Sequence, residues 1–305
     1  MYLWFLIIKK ILNMLSVIIC SRMPDITDDL KQNIAETIGC EYELIVIDNS
    51  KNKYSIFSAY NEGVRRAKGE ILCFMHDDIR YRTPRWGNTV SDYFRNDNIG
   101  CVGIAGTKYF PRIPASWFSM KDEIINVIQH YNAKDSAIHV NRGFSGNTAC
   151  KVVAIDGVWM SIRRSLFDKI RFDEKYGGFH AYDTDICMQV TCEKKDIMVV
   201  PDILIEHFSC GSLSKVWFDA NLIFFDKWKH FLPTKVSGFK LTRLYKVNLW
   251  WYFFSVIKQM ESYSYESKEI RKYIRTIFVR MPIVANGALV KIIGYYVKSL
   301  CGRKL

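Results

Sequence analysis

The sequence lacks the cysteine pattern of a disulfide-stapled or zinc-binding protein. Its nine cysteines are scattered, no CxxC pair occurs, and several lie in apolar runs that suit a small core side chain. We therefore predict free thiols, no zinc site and a reducing, cytoplasmic location. The sequence also lacks an uninterrupted apolar run of about 20 residues, the length that a bilayer-crossing helix needs.

A short apolar stretch opens the sequence, and we interpret residues 1–14 as an extension of the folded domain. Residues 2–8 are continuously apolar and are followed by Lys9 and Lys10. A secretory signal peptide carries its basic residues before the apolar core, so this order is not typical of one. Two interpretations stay open, a small anchor that dips into a membrane and a strand that packs on the domain.

Positive charge is concentrated at the other end of the sequence. The net charge is +12, and residues 235–305 contain fourteen Lys and Arg against three Glu. The rest of the chain contains twenty-nine basic and twenty-eight acidic side chains, so it is nearly neutral. We therefore predict a folded domain at 15–230 and a basic, aromatic-rich helical region at 231–305.

Two apolar runs of this basic region, 249–254 and 283–296, are fringed by Lys or Arg. Aromatic and basic side chains together are typical of helices that lie on an anionic membrane surface. We favour such a contact at the inner face of the membrane. The alternative is a pair of helices that pack on the domain with solvated charges. Nucleic-acid binding is not predicted, because no known nucleic-acid-binding module accompanies the charge.

Four apolar runs of strand length recur about 30 residues apart, which is the size of a strand-helix-strand unit. Helical spacing occurs between them at 26–38 and 56–68, and Gly69 is expected to cap the second helix. This alternation predicts a doubly wound α/β domain. The four runs are residues 15–20, 43–48, 70–75 and 101–106.

The sequence after the fourth run is less regular. We predict a long loop or an inserted helix at 108–151, where prolines, histidines and aromatic residues are mixed. Beyond it, apolar runs at 152–160 and 197–205 are predicted as strands, and a helix is predicted from Ser165. Loops as long as the predicted one are usually functional in compact domains.

Two adjacent carboxylates, Asp77 and Asp78, follow the strand predicted at 70–75. In an open parallel sheet, ligands bind outside the carboxyl ends of the strands. Burying two unpaired carboxylates is costly, and a divalent cation such as Mg²⁺ or Mn²⁺ removes that cost. The alternative is an ordinary Asp-rich turn. His207, which ends a later apolar run, is a candidate nitrogen ligand for the same metal ion.

Other polar residues also follow predicted strands. Asp48 ends the second strand and is a candidate partner for a nucleotide base, and Arg22 follows the first strand and is a candidate partner for a diphosphate. Asp183 and Asp185 precede an apolar helix face. We predict that Asp185 caps that helix and that Asp183 is a general base.

Taken together, these segments resemble a known enzyme family. The sequence is similar to inverting, family 2 type glycosyltransferases of the GT-A fold, a Rossmann-like, mostly parallel sheet flanked by helices. Within that family it resembles the bacterial subgroup named after a streptomycin-biosynthesis protein. The resemblance covers residues 15–230 and rests on 16–22 (SVIICSR), 47–50 (IDNS), 60–63 (YNEG), 67–70 (AKGE), 76–78 (HDD), 156–160 (DGVWM), 179–185 (FHAYDTD) and 207–209 (HFS).

The resemblance implies a role for individual residues. Asp48 would contact the nucleotide base, Asp77 the ribose or diphosphate, and Asp78 the metal ion. Asp183 would be the catalytic base.

The sequence departs from the family pattern at two positions. His76 stands where the first acid of an Asp-x-Asp triplet is usual, and Tyr182 stands where a Glu usually precedes the base. We interpret both as variation within the subgroup.

The implied activity is transfer of a sugar, with inversion, from a nucleotide-diphosphate sugar to a glycan or lipid-linked acceptor. A UDP-sugar is the first choice of donor, Mg²⁺ or Mn²⁺ is the expected cofactor, and bacterial surface polysaccharide synthesis is the expected role. Two alternatives stay open. One is a catalytically inactive binding module of this fold at the membrane, and the other is a nucleotidyl- or phosphotransferase on a similar sheet.

Overall fold

The computed structural model describes residues 14–120, 122–131, 137–209, 211, 213–278 and 294. Residues 1–13 of the predicted extension lie outside this description. So does the apolar run at 283–296, apart from Gly294.

A seven-stranded sheet forms the centre of the fold. Five of its strands run parallel to one another, and the other two run antiparallel to them. The first strand is buried on both faces, because Val17 and Ile19 pack in one core cluster and Ile18 packs in the other. In order across the sheet, the strands are β10 (Cys150–Val152), β13 (Asp196–Val199), β5 (Ile99–Gly103), β12 (Trp159–Arg163), β3 (Ile71–Met75), β1 (Leu15–Ser21) and β2 (Tyr42–Asp48).

Three helices connect the first strands, and the first two correspond to the helices predicted at 26–38 and 56–68. They are α1 (Asp28–Thr37), α2 (Ile56–Arg66) and α3 (Trp86–Phe94). Thr27 and Ser55 cap the first two helices through their side-chain oxygens. The prediction that Gly69 caps α2 is wrong, because that helix already ends at Arg66. Gly69 instead donates its N–H to Ser16 Oγ, where a side chain would collide with the backbone of β1.

A second sheet packs beside the carboxyl ends of the first. It contains, in order, β11 (Ala154–Ile155), β6 (Ala105–Thr107), β8 (Glu123–Gln129), β14 (Ile205–His207) and β4 (Ile79–Tyr81), and β9 (Ile138–Arg142) pairs with β8.

This second sheet corrects several predictions. The segment 108–151 contains β7 (Tyr109–Phe110), β8, β9 and most of β10, so its regular structure is strand, and it is neither one long loop nor an inserted helix. The apolar runs at 101–106, 152–160 and 197–205 each divide between the two sheets. Pro201 marks one such division, because a proline cannot donate to a strand ladder. The helix predicted from Ser165 is a single 3₁₀ segment, Arg164–Asp168.

Four later elements complete the described fold. They are α4 (Tyr182–Cys192), α5 (Lys215–Trp228), α6 (Arg243–Ser262) and α7 (Ser267–Phe278). Most of the run at 249–254 is buried in the same core cluster as Phe110 and Phe224, so for this run the packed-helix alternative holds. Within the described part of the chain, no helix combines the length and apolar character needed to cross a membrane.

Candidate active site

Three side chains with metal-binding atoms meet just beyond the carboxyl end of β3. His76 and Asp78 follow that strand directly, and the antiparallel pairing of β14 with β4 places His207 opposite Ile79. His207 Nε2 lies 3.6 Å from Asp78 Oδ1, and His76 Nδ1 lies 3.8 Å from the same oxygen. One ligand atom from each residue lies within 4.8 Å of the other two. The predicted ligands Asp78 and His207 are therefore together, and His76 joins them.

Hydrogen bonds assign the tautomer of His207. The amide nitrogen of Gln129 donates to the carbonyl oxygens of His130 and Ser209, both at 2.8 Å, so Gln129 Oε1 is the acceptor that faces His207 Nδ1 at 3.1 Å. The proton of His207 is therefore on Nδ1. Its Nε2 is buried without a hydrogen bond and presents a lone pair toward Asp78.

Similar logic assigns the tautomer of His76. The hydroxyl of Tyr182 lies 3.0 Å from the carbonyl oxygen of Gly157, which can only accept, and 3.0 Å from His76 Nε2. The hydroxyl therefore donates to Gly157 and accepts from His76 Nε2–H. His76 Nδ1 is left with its lone pair facing Asp78, so two lone pairs and a carboxylate converge without a proton between them.

This donor set fits a divalent cation. Imidazole nitrogens with a carboxylate suit first-row divalent metals, and outer hydrogen bonds from ligand histidines are usual at such sites. Burial by itself would raise the pKa of Asp78, but the contacts with His207 and Ser209 outweigh burial and hold that pKa well below its usual range. A bound divalent cation would place positive charge beside the same carboxylate.

The predicted donor-binding residues lie next to this cluster. Asp77 accepts hydrogen bonds from Ser21 Oγ at 3.3 Å and from the backbone N–H of Arg22 at 3.1 Å. The guanidinium of Arg22 lies 3.4 Å from Asp77 Oδ1 and 4.0 Å from Asp78 Oδ2, and its side chain is 76% exposed. Arg22 therefore stands at the mouth of the site, where it can reach an incoming anion.

Asp48 shares this edge of the sheet but stands apart from the cluster. It ends β2 as the register partner of Ser21, and β1 separates β2 from β3 in the sheet. Its carboxylate is exposed and accepts a hydrogen bond from the N–H of Ser50 at 2.9 Å. The structure thus leaves Asp48 available to a group that extends along the strand ends from Asp77.

The predicted base, Asp183, approaches from the opposite wall. It lies in the first turn of α4, where its oxygens accept hydrogen bonds from the N–H groups of Gly157 at 3.0 Å and Thr184 at 2.7 Å. Burial and the neighbouring carboxylate of Asp156 raise the pKa of Asp183 to about 7. The carbonyl oxygen of Gly157 accepts a hydrogen bond from the Tyr182 hydroxyl. A side chain at position 157 would collide with that hydroxyl, so the contact requires glycine.

The helix-cap role predicted for Asp185 is wrong. Asp185 lies inside α4, is 1% exposed, and accepts hydrogen bonds from Tyr176 Oη at 2.9 Å and Trp228 Nε1 at 2.7 Å. Lys227 Nζ forms an ion pair with it at 2.7 Å. Asp185 therefore ties α4 to α5 and to the turn before α4, because a buried carboxylate needs such partners.

A cleft of about 580 Å³ joins the two walls. The residues that line it include His76 and His207 of the metal-binding cluster together with Asp156 and Asp183. The predicted base Asp183 and the predicted ligand His207 therefore line one cavity, and the predicted ligand Asp78 contacts the two histidines that line it.

Sequence reasoning missed four residues that shape this cavity: His76, Tyr182, Asp156 and Gln129. The first two were interpreted as unrelated departures from a family pattern, yet they contact each other. That coincidence of two departures was the available signal. Asp156 lay in a matched segment without an assigned role, and nothing in the sequence singled out Gln129.

Comparisons with known structures identify the fold. TarS 1–349 from S. aureus, solved with UDP, is 13% identical with a TM-score of 0.55, over 94% of this chain and 90% of that one. The same protein solved with UDP-GlcNAc gives 12% identity and a TM-score of 0.52, over 95% and 92% of the two chains. At such identity the likeness establishes the fold alone, which is GT-A.

Comparisons of sequence identify a curated relative and a protein family. A curated protein of Fuscovulum blasticum, described as ATP synthase subunits region ORF 6, is 22% identical over 157 residues. That match spans 48% of this chain and 55% of the curated protein. A family model described as "Glycosyltransferase like family" matches residues 16–230. The chain belongs to this glycosyltransferase-like family.

Proposed function

We propose that the protein is an inverting, metal-dependent glycosyltransferase that uses a nucleotide-diphosphate sugar. The observation that carries the proposal is the pairing, in one cleft, of a carboxylate of raised pKa at Asp183 with the cluster of His76, Asp78 and His207. The first group can accept a proton, and the second can hold a cation against a diphosphate. A UDP-sugar is the preferred donor, since TarS was solved with UDP and with UDP-GlcNAc.

Asp183 acts on the acceptor. Its carboxylate takes the proton from an acceptor hydroxyl while that oxygen forms a bond to the anomeric carbon of the donor sugar. The bond from the same carbon to the diphosphate oxygen breaks, and its electron pair leaves with the nucleoside diphosphate. Attack from the face opposite the leaving group inverts the anomeric centre. A pKa of about 7 leaves Asp183 substantially ionised at neutral pH yet basic enough to accept a proton.

The opposite wall holds the leaving group. His76, Asp78 and His207 would bind the metal ion, which when bound supplies positive charge to the departing diphosphate. Two imidazoles among three ligands favour Mn²⁺ over Mg²⁺, which prefers oxygen. Arg22 would contact the diphosphate, Asp77 would hold the ribose or diphosphate, and Asp48 would contact the base.

The test of this function is Asp183→Asn in the full chain. We expect the rate of transfer, or of donor hydrolysis when no acceptor is added, to fall by about 10²–10⁴-fold. Binding of the donor with Mn²⁺ should change little, because the cation wall is intact. Asp202→Asn, on an exposed carboxylate that accepts from Tyr93, is the matched control. If Asp183→Asn transfers sugar at the wild-type rate, Asp183 is not the catalytic base.

The released product separates the competing functions. Sugar transfer releases a nucleoside diphosphate, whereas a nucleotidyltransferase releases pyrophosphate and a phosphotransferase releases other phosphate products. A binding module would bind the donor and leave it intact. Chromatography of the nucleotide products therefore distinguishes all of them. An inverted configuration at the anomeric carbon, read by NMR, would support in-line attack.

We also propose that the basic region brings the enzyme to an anionic membrane and to a lipid-linked or surface glycan acceptor. The support is its charge, which includes Lys268 and Lys272 on α7. Sedimentation with anionic vesicles should weaken in the double variant Lys268→Glu and Lys272→Glu. Equal sedimentation of this variant and the wild type would contradict the proposal. Charge reversal is preferred to truncation, since α6 is part of the core.

A further inference from the structure

One face of β8 forms a floor that leads away from the metal-binding wall. Residues alternate along a strand, so Gln129, Val127, Ile125 and Glu123 point to the same side, and all four line the cleft. Gln129 contacts His207 at one end. Six residue steps of about 3.3 Å separate it from Glu123, so the floor extends for about 20 Å. This length exceeds a single sugar ring.

Aromatic side chains form the facing wall of this floor. Trp117, Phe118 and Trp217 all line the cleft. The rings of Phe118 and Trp217 stack nearly parallel, with centroids 6.0 Å apart. At the mouth, Tyr131 and Phe179 are 50% and 45% exposed. Exposed aromatic rings on the rim of a cleft mark a binding surface, because hydrating them is unfavourable.

Polar groups stand at both ends of the floor. Gln129 is at the catalytic end, and Glu123 at the far end forms an ion pair with Arg142 at 3.2 Å. The Glu123 side chain is 11% exposed and the Arg142 side chain is 58% exposed, so the guanidinium remains accessible to a ligand. The middle, formed by Ile125 and Val127, is apolar. The groove is therefore apolar in its middle and offers an accessible guanidinium at its far end.

We infer that this groove binds the acceptor, and that the acceptor is an oligosaccharide chain lying along β8. The inference rests on the proposed glycosyl transfer and names its acceptor class. A sugar ring has an apolar C–H face, which suits aromatic side chains, and a rim of hydroxyls, which suits amides, carboxylates and guanidinium groups. The chain end with the attacking hydroxyl lies at Asp183, and later sugar units extend toward Glu123 and Arg142.

The ends of the groove favour a glycan over an isoprenoid chain. An isoprenoid offers no hydrogen bonds, so it would leave the Glu123–Arg142 pair desolvated and without compensation. A glycan offers hydroxyls to that pair while its ring faces cover Ile125 and Val127. Continuity with the catalytic cleft further favours the acceptor over an unrelated ligand, since the floor begins beside His207.

Two variants test the groove without touching the catalytic groups. Val140→Trp fills it from β9, and Trp217→Ala removes part of the aromatic wall; Val140 and Trp217 both line the cleft. Trp251→Ala is the matched control, because Trp251 lies on α6 and is 61% exposed. The probes are glucose, mannose and N-acetylglucosamine oligomers from monosaccharide to hexasaccharide. Isothermal calorimetry gives their affinity, and UDP release from a panel of UDP-sugars gives activity.

In the wild type we expect affinity to rise about tenfold or more from monosaccharide to tetrasaccharide in at least one series, which corresponds to a few stacking contacts. Val140→Trp and Trp217→Ala should lose that increase while keeping acceptor-independent donor hydrolysis. Trp251→Ala should behave like the wild type.

Equal affinity for short and long oligomers in every series would overturn the inference. So would an unchanged length dependence in Val140→Trp, or better use of a lipid-linked monosaccharide that neither variant impairs. If the wild type neither binds nor hydrolyses any donor, the proposed function fails instead. The calorimetric length dependence then still decides whether the groove binds glycans.

Discussion

Asp183 lines the cleft and Asp78 contacts the two histidines that line it, and the surroundings of these two carboxylates shift their pKa values in opposite directions. Contacts with His207 and Ser209 keep Asp78 ionised, whereas burial beside Asp156 raises the pKa of Asp183 to about 7. The comparison shows that two aspartate side chains of identical chemistry can serve different tasks because their neighbours differ. One wall supplies a permanent negative charge for a cation, and the other supplies a group that can accept a proton.

The largest effect should come from removing the charge on the metal-binding wall. Asp78→Ala should abolish measurable Mn²⁺ binding and lower the rate of transfer by about 10³-fold or more, because several kcal/mol of charge stabilisation are lost. Electron paramagnetic resonance of free Mn²⁺ measures the first, and UDP release the second. The adjacent Asp77→Asn is the matched control for metal binding, since Asp77 lies outside the cluster. Equal Mn²⁺ affinity in Asp78→Ala and wild type would contradict the metal assignment.

The next effect concerns the ionisation of Asp183. Only the ionised carboxylate can accept a proton, so kcat/KM should fall about tenfold per pH unit below about pH 7. Replacing the neighbouring carboxylate, in Asp156→Asn, should lower the pKa of Asp183 and move this limb to lower pH. A pH profile of both proteins measures the shift. A limb that moves to higher pH would show that Asp156 does not act by charge repulsion.

A smaller effect should follow from removing the side chains that fix the tautomers of His76 and His207. Gln129→Ala and Tyr182→Phe each remove one partner that fixes a ligand imidazole, so Mn²⁺ affinity should weaken by about 10–100-fold. Gln129→Glu keeps an acceptor for His207 Nδ1–H and should retain most of the affinity. If Gln129→Ala and Gln129→Glu weaken Mn²⁺ binding equally, the side chain does not act through the imidazole proton.

The smallest effect is on stability. A carboxyl whose pKa is higher in the folded than in the unfolded protein destabilises the fold as pH rises from about 4 to about 7. Asp183→Asn cannot ionise, so its melting temperature relative to the wild type should increase by a few degrees across that range. Calorimetry at pH 4.5 and pH 8 measures most of the difference, because pH 4.5 lies within about one unit of the unfolded-state pKa and pH 8 about one unit above the folded-state pKa. A difference that decreases with pH would mean that the folded protein favours the ionised form.

The two walls also differ in how well the sequence predicts them. Strands β1, β2 and β3 are continuous apolar runs that end in charged residues, so the position of Asp48, Asp77 and Asp78 at one sheet edge follows from the sequence pattern. The second sheet was missed. Its short strands share apolar runs with the first sheet, and a run that crosses between sheets has the same composition as a single strand.

The same limit applies to individual residues of the site. His76 and Tyr182 are 106 positions apart, and each looks like a substitution without consequence when considered alone. Their hydrogen bond shows that the histidine needs an acceptor for its second nitrogen, which the tyrosine supplies. The spacing of these residues along the chain does not indicate that they are in contact, so the hydrogen bond could not be predicted from this single sequence. Asp183 and His207 were predicted because they end or begin recognisable elements.

The pairing of β7 with β15 (Thr234–Lys235), together with the burial of α6 in the core, has a consequence for biosynthesis. β7 precedes Asp183 in the chain, but the strand that covers its edge and the helix that covers its apolar side are made after all the residues proposed for the active site. During translation the nascent domain therefore exposes this edge and these aromatic side chains until α6 has left the ribosome. The order of synthesis makes this interval the one in which chaperones, or aggregation, would act on the chain.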